Sequence, residues 1–187
     1  MNGNGNGQSG SSGGSDAPGS ERRHRHTPAN DPNIGTVFDD RYRIEERIGV
    51  GGMGIVYRAV QVGLERTVVV KILSKDRLDD EASVQRFQRE ARTLSRLDHP
   101  NIVTVHDFGY QNDLNYIVME HVDGYQLDQL VQTDEGLDYE TFVPVAVQLL
   151  DAVGQAHREG MVHRDLKPSN IMLTERPETP YFVKVLD

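Results

Sequence analysis

The run His163-Arg164-Asp165-Leu166-Lys167-Pro168-Ser169-Asn170 places a carboxylate, an ammonium and a primary amide two and three residues apart. Asp165 can accept the proton of an attacking hydroxyl. Lys167 can neutralise charge on a phosphoryl group in flight, and Asn170 can hold a metal ion through its amide oxygen. Together the three meet the needs of phosphoryl transfer. The plain alternative is a polar turn without chemistry.

A second constellation is Gly49-Val50-Gly51-Gly52-Met53-Gly54, with Ile48 before it and Val56 and Tyr57 after it. Glycines let backbone N–H groups approach phosphates, and Val56 would cover a purine. Dinucleotide-binding units carry a similar pattern between a strand and a helix, whereas here it joins two strands. A flexible hairpin turn is the bland reading. Lys71 lies inside the apolar run Val68 to Leu73, where an ammonium requires an anion. Phe87, Glu90, Leu94 and Leu97 recur at helical spacing, so Glu90 falls on the apolar stripe and can supply that anion. Pairing with Arg86, one turn earlier on the surface, is the alternative.

The His163–Asn170 run resembles the catalytic loop of protein kinases, and its Lys-Pro after Asp-Leu is similar to the serine/threonine-specific members. The glycine run resembles the kinase glycine-rich loop, with a Gly-Gly-Met-Gly core like that of bacterial, eukaryotic-like (Hanks-type) members. The resemblance covers about 150 residues from Arg41 onward. It implies a nucleotide site in which Ile48, Gly49, Val50, Gly51, Gly52, Met53, Gly54 and Val56 cover ATP. Lys71 would clasp the α- and β-phosphates, with Glu90 orienting it. Met119 matches the gatekeeper, and the Glu120-His121-Val122 backbone would read the adenine edge. Val69 stands where kinases most often carry alanine. Asp165 and Lys167 would be catalytic, with Asn170 and Asp187 holding Mg²⁺. His163 would be structural, and Arg164 would receive a phosphorylated activation loop. Asp187 closes the chain at the Asp of an Asp-Phe-Gly motif, so the resemblance implies a kinase domain truncated there. The implied activity is transfer of the ATP γ-phosphate to Ser/Thr hydroxyls of a protein substrate. The alternatives are an ATP-binding or regulatory fragment without turnover, or a nonfunctional remnant.

These side chains need elements to position them. Residues 1–38, rich in Gly, Asn, Ser and Pro, read as a disordered arm, with a small basic cluster at Arg22, Arg23 and Arg25 flanked by His24 and His26. Residues 39–120 read as a small lobe and 121–187 as a hinge and partial large lobe. A hairpin is expected from Arg41 to Val60, and a strand buried on both faces from Thr67 to Leu73. Glu81–Leu97 carries an amphipathic helical pattern, with Arg86, Arg89, Arg92 and Arg96 on its outer side. Strands follow at Ile102–Phe108 and Asn115–Glu120, giving a five-stranded antiparallel sheet with one helix, an α+β, kinase-like arrangement. Helices are expected at Gln126–Val131 and Tyr139–Glu159. After the catalytic loop, Leu173–Phe182 reads as an inserted loop marked by Pro177 and Pro180, and Val183–Leu186 as a last short strand.

Composition narrows the partners. The chain has 187 residues, with 20 Lys+Arg against 29 Asp+Glu, a formal net charge of -9 and a pI near 5.2. That balance disfavours nucleic acid or an anionic membrane as partner. Cysteine is absent, which removes disulfides and thiolate metal sites. No run reaches the roughly 18 apolar residues of a membrane span, so the expectation is a cytoplasmic chain. A longer form could be anchored through a segment not present here.

Overall fold

The computed structural model describes residues 31–51, 54–73, 81–131 and 136–186. The arm expected over residues 1–30, with its arginine and histidine cluster, lies outside the described residues.

The first layer is a six-stranded antiparallel sheet: β1 (Val37–Phe38), β2 (Tyr42–Gly51), β3 (Gly54–Gln61), β4 (Arg66–Leu73), β5 (Val105–Gln111) and β6 (Leu114–Glu120). Its spatial order is β1-β2-β3-β4-β6-β5. The five expected strands are present, and β1 is added at the edge through Val37↔Arg43 and Phe38↔Tyr42. Composition assigns residues 31–38 to the arm, yet they fold onto the sheet. Three apolar residues within that polar stretch explain the difference: Phe38 is 1% exposed, Ile34 packs against the same core, and Val37 extends the sheet.

Alternation along β4 divides its side chains between two faces. Val68, Val70 and Ile72 enter a core with Tyr42, Ile44, Tyr57 and Tyr116. Each fully buried aliphatic side chain contributes roughly 1.5–3 kcal/mol, so this face fixes the register that sends Lys71 the other way. Val69 and Lys71 line a cleft on the opposite face.

Helix α1 (Glu81–Leu94) is shorter than expected; Ser95 to Leu97 continue as a turn held by Ser95 N–H to the Ala91 carbonyl (2.9 Å). Ile102 does not open β5, which starts at Val105. It forms instead a parallel bridge to Val185, flanked by Val103 N–H to Val185 O (2.9 Å) and Val185 N–H to Asn101 O (2.8 Å).

A smaller three-stranded sheet follows, ordered β7 (Tyr125–Gln126), β8 (Ile171–Arg176), β9 (Thr179–Val185). Helix α2 (Leu127–Val131) and helix α3 (Tyr139–Arg158) accompany it. Asp138 caps α3 by accepting from the Thr141 amide at 2.7 Å. Val145, Ala152, Leu173, Val183 and Val185 form the second core. The loop expected over Leu173–Phe182 is a hairpin, with Thr174↔Phe182 and Arg176↔Thr179 in register. A bulge between these pairs accommodates Pro180, which has no N–H for the ladder.

Candidate active site

The His163–Asn170 loop lies between α3 and β8. Arg164 adopts a left-handed backbone (φ 63), unusual for a residue with a side chain, and the Asp165 amide folds back onto the His163 carbonyl at 2.8 Å. Pro168 then opens a single 3₁₀ turn to Asn170, closed by Asn170 N–H to Lys167 O at 2.9 Å. These turns fold the loop back on itself, so the three polar side chains converge. Lys167 Nζ lies 2.7 Å from Asp165 Oδ2. Asn170 Nδ2 donates to the Asp165 carbonyl at 2.8 Å and to Oδ2 at 3.2 Å. The Lys167 bond, reinforced by its charge and by Asn170, holds the Asp165 carboxyl below its ordinary value of 3.8, so it stays ionised at neutral pH.

The loop is braced against β9. His163 Nε2 bonds the Leu186 carbonyl at 2.7 Å, and the Leu186 amide donates to the Asn170 carbonyl at 2.9 Å. Because the acceptor is a carbonyl, Nε2 carries the proton. Gln126 Nε2 donates to the Ser169 carbonyl at 2.8 Å, joining the loop to β7.

Across a cleft of about 720 Å³ stands the glycine hairpin at the tips of β2 and β3. Ile48, Gly49, Val50, Gly51, Gly54 and Val56 line it. Gly54 has φ +149, and a Cβ there would lie 2.0 Å from the Ile72 carbonyl oxygen, so only glycine permits β3 to approach β4 this closely. Lys71 is 7% exposed and pairs across the sheet with Val56 and Ile117. Val69, Met119 and Leu186 add apolar surface. Glu120 ends β6, its amide donating to the Thr104 carbonyl at 2.9 Å, and Val122 follows beyond the ladder.

Glu90 departs from the expected geometry. It is exposed and forms no ion pair among the described residues, Lys71 included. Helix α1 packs through buried Ala91, with Phe87 and Leu94 half-buried beside it. Glu90 lies about 100° round the helix from Ala91, at the margin of that stripe, and turns to solvent. Gly52, Met53 and Asp187 lie outside the described residues.

Sequence reasoning passed over Lys184. Its ammonium, 12% exposed as a side chain, pairs with the Glu120 carboxylate and donates to the Ile102 carbonyl at 3.3 Å. The signal was available, because Lys184 interrupts the apolar stretch Phe182 to Leu186 just as Lys71 interrupts its own strand.

Comparison with known proteins identifies the family. The protein kinase domain family matches residues 42–187. The serine/threonine-protein kinase pkn3 of Myxococcus xanthus is 46% identical over 162 residues, covering 86% of this chain and 30% of that protein. The serine/threonine-protein kinase PrkC of Bacillus subtilis is 41% identical over 140 residues, covering 75% of this chain and 22% of its own length. This chain thus spans less than a third of either relative. Among solved structures, the Mycobacterium tuberculosis PknI kinase domain superposes with a TM-score of 0.71 at 30% identity, covering 82% of this chain and 59% of that one. Rad53 in complex with AMP-PNP gives 0.68 at 31% identity, covering 79% and 38%. The chain belongs to the protein kinase family, in its bacterial serine/threonine branch. No helix among the described residues is long and apolar enough to cross a membrane.

Proposed function

We propose that the cleft binds ATP and supports transfer of its γ-phosphate to a Ser or Thr hydroxyl of a protein substrate. The carrying observation is the convergence of Asp165, Lys167 and Asn170 on one wall of a cleft whose other wall holds the glycine hairpin and buried Lys71. A volume of about 720 Å³ is within the usual range for a nucleotide-sized ligand. The related Rad53 structure carries AMP-PNP, a nucleotide analogue.

In this reading the backbone of Glu120 and Val122 recognises the adenine edge, and the apolar side chains of Ile48, Val56, Val69 and Met119 enclose the base. Lys71 holds the α- and β-phosphates. Asp165, kept ionised by Lys167, accepts the hydroxyl proton as the oxygen attacks phosphorus, and Lys167 offsets charge on the transferring group. Asn170 fits a hard cation. Its Nδ2 is spent on Asp165, which leaves the amide oxygen as the available donor, the type Mg²⁺ prefers. With Asp187 it would hold Mg²⁺, which supplies charge neutralisation at the phosphates when bound. This reading includes a cytoplasmic location, where ATP is supplied.

The exposed position of Glu90 favours a second reading, ATP binding without turnover, for the arrangement described here. Incubation with labelled ATP, Mg²⁺ and a generic protein substrate separates the two. Phosphate on Ser or Thr that disappears in Asp165→Asn supports the first, and nucleotide binding without transfer supports the second. Equal ATP affinity in the parent and Lys71→Met would overturn the phosphate site in both.

A further inference from the structure

The family match begins at Tyr42, yet residues before it reach the stem of the glycine hairpin. Asp31 is 3% exposed as a side chain, and a buried carboxylate is costly unless it is bonded. Its oxygens accept from the Tyr57 hydroxyl at 3.1 and 3.2 Å and from the Asn33 amide at 3.1 Å, and Arg47 NH1 lies 3.7 Å away. Asn33 Nδ2 donates to the same hydroxyl at 2.9 Å. Arg47 and Tyr57 face each other across β2 and β3, and the β2 bulge lies between Arg47 and Gly49. The knot therefore ties both strands of the hairpin at the last pair before the bulge. The segment is itself anchored: Gly35 N–H donates to Ile44 O and Ile44 N–H to Thr36 O, each at 2.9 Å, while Phe38 enters the core.

We propose that Asp31 is a positioning residue for the nucleotide. By holding Arg47 and Tyr57 it sets how Gly49 to Gly51 and Gly54 lie over the phosphates, so a segment preceding the kinase domain tunes nucleotide affinity. This rests on the ATP-site reading above. The test uses the full 187-residue chain and a fluorescent ATP analogue with Mg²⁺. Asp31→Ala and Tyr57→Phe should each weaken binding roughly tenfold, the scale of one lost hydrogen bond to a charged group. Asp31→Glu should restore part of it. Amide exchange over residues 48–57 should quicken in the weakened variants. Tyr42→Phe, which removes a 2.8 Å bond to Asp107 at the far end of β2, should lower thermal stability with affinity unchanged. If Asp31→Ala does not fold, Asp31→Asn and Tyr57→Phe preserve volume and carry the comparison. Parental affinity and parental exchange in folded variants would overturn the proposal alone. Failure of the parent to bind nucleotide would overturn the ATP-site reading and this inference with it.

Discussion

The protonation state of Asp165 depends on a neighbour two residues along the chain. The Lys167 ammonium at 2.7 Å favours the ionised form, and Asn170 adds a second donor. A group whose folded pKa is depressed keeps its charge until the pH falls through that lowered value. The acid limb of any phosphotransfer profile that reports Asp165 should therefore lie below 3.8 in the parent. Lys167→Met should move the limb upward toward the ordinary carboxylate range, and an unmoved limb would show that another group sets it. If the proposed transfer holds, Asp165→Asn should cost about 10²–10⁴ in turnover with ATP affinity little changed, the scale of a lost general base. These three residues were legible in the sequence because the loop is local: two- and three-residue spacings and one proline bring them together. Glu90 was not. Helical spacing puts it on the apolar stripe, but in the structure it sits at the margin and is exposed, because the rotation that decides between cleft and solvent depends on how α1 seats against the sheet.

At the scale of elements, β9 has an open edge that a side chain completes. Gln148 on α3 accepts from the Val183 amide (3.0 Å) and from Asn101 Nδ2 (2.9 Å), and it donates to the Tyr181 carbonyl (2.9 Å). Its amide thus acts as a one-residue strand. Gln148→Leu removes the side-chain partner of the Val183 amide and the Tyr181 carbonyl, while Asn101 Nδ2 keeps its bond to the Val183 carbonyl (2.9 Å); it should destabilise the fold by about 2 kcal/mol in denaturant unfolding, whereas a loss within a few tenths would mean that water replaces the amide. Lys184→Ala should also destabilise, because Glu120, only 25% exposed as a side chain, would lose its counter-charge. Strand existence was readable from β-branched runs, but the β8–β9 hairpin was obscured by Pro177 and Pro180, which mark turns in most settings. A bulge removed the conflict, and bulges leave little trace in sequence. The two-residue strand β1 was hidden for a different reason: its apolar residues follow a long polar stretch that dominates any composition window.

For the whole molecule, the balance between covered and open apolar surface is uneven. Val145 and Ala152 of α3 are buried against the second sheet, while Tyr139, Val147 and Leu150 are 79%, 61% and 71% exposed on its other side and Phe142, at the flank, is 52% exposed. Four large apolar side chains on one helix make a patch of the kind that promotes association. Sedimentation should show concentration-dependent self-association of the chain, reduced by the double substitution Val147→Lys and Leu150→Lys; a monomer at all concentrations would contradict this.

The parallel bridge between Ile102 and Val185 ties the segment leading into β5 to the second sheet by main-chain bonds beside the cleft. The connection through residues 121–124 is covalent. With two attachments between the sheets, sliding or twisting of one past the other would break the Val103 and Val185 main-chain bonds, whereas a swing about both attachments would keep them. A cleft that opens this way should leave the Val103 and Val185 amides among the last to exchange with solvent, and early exchange at both would show that the bridge opens with the cleft.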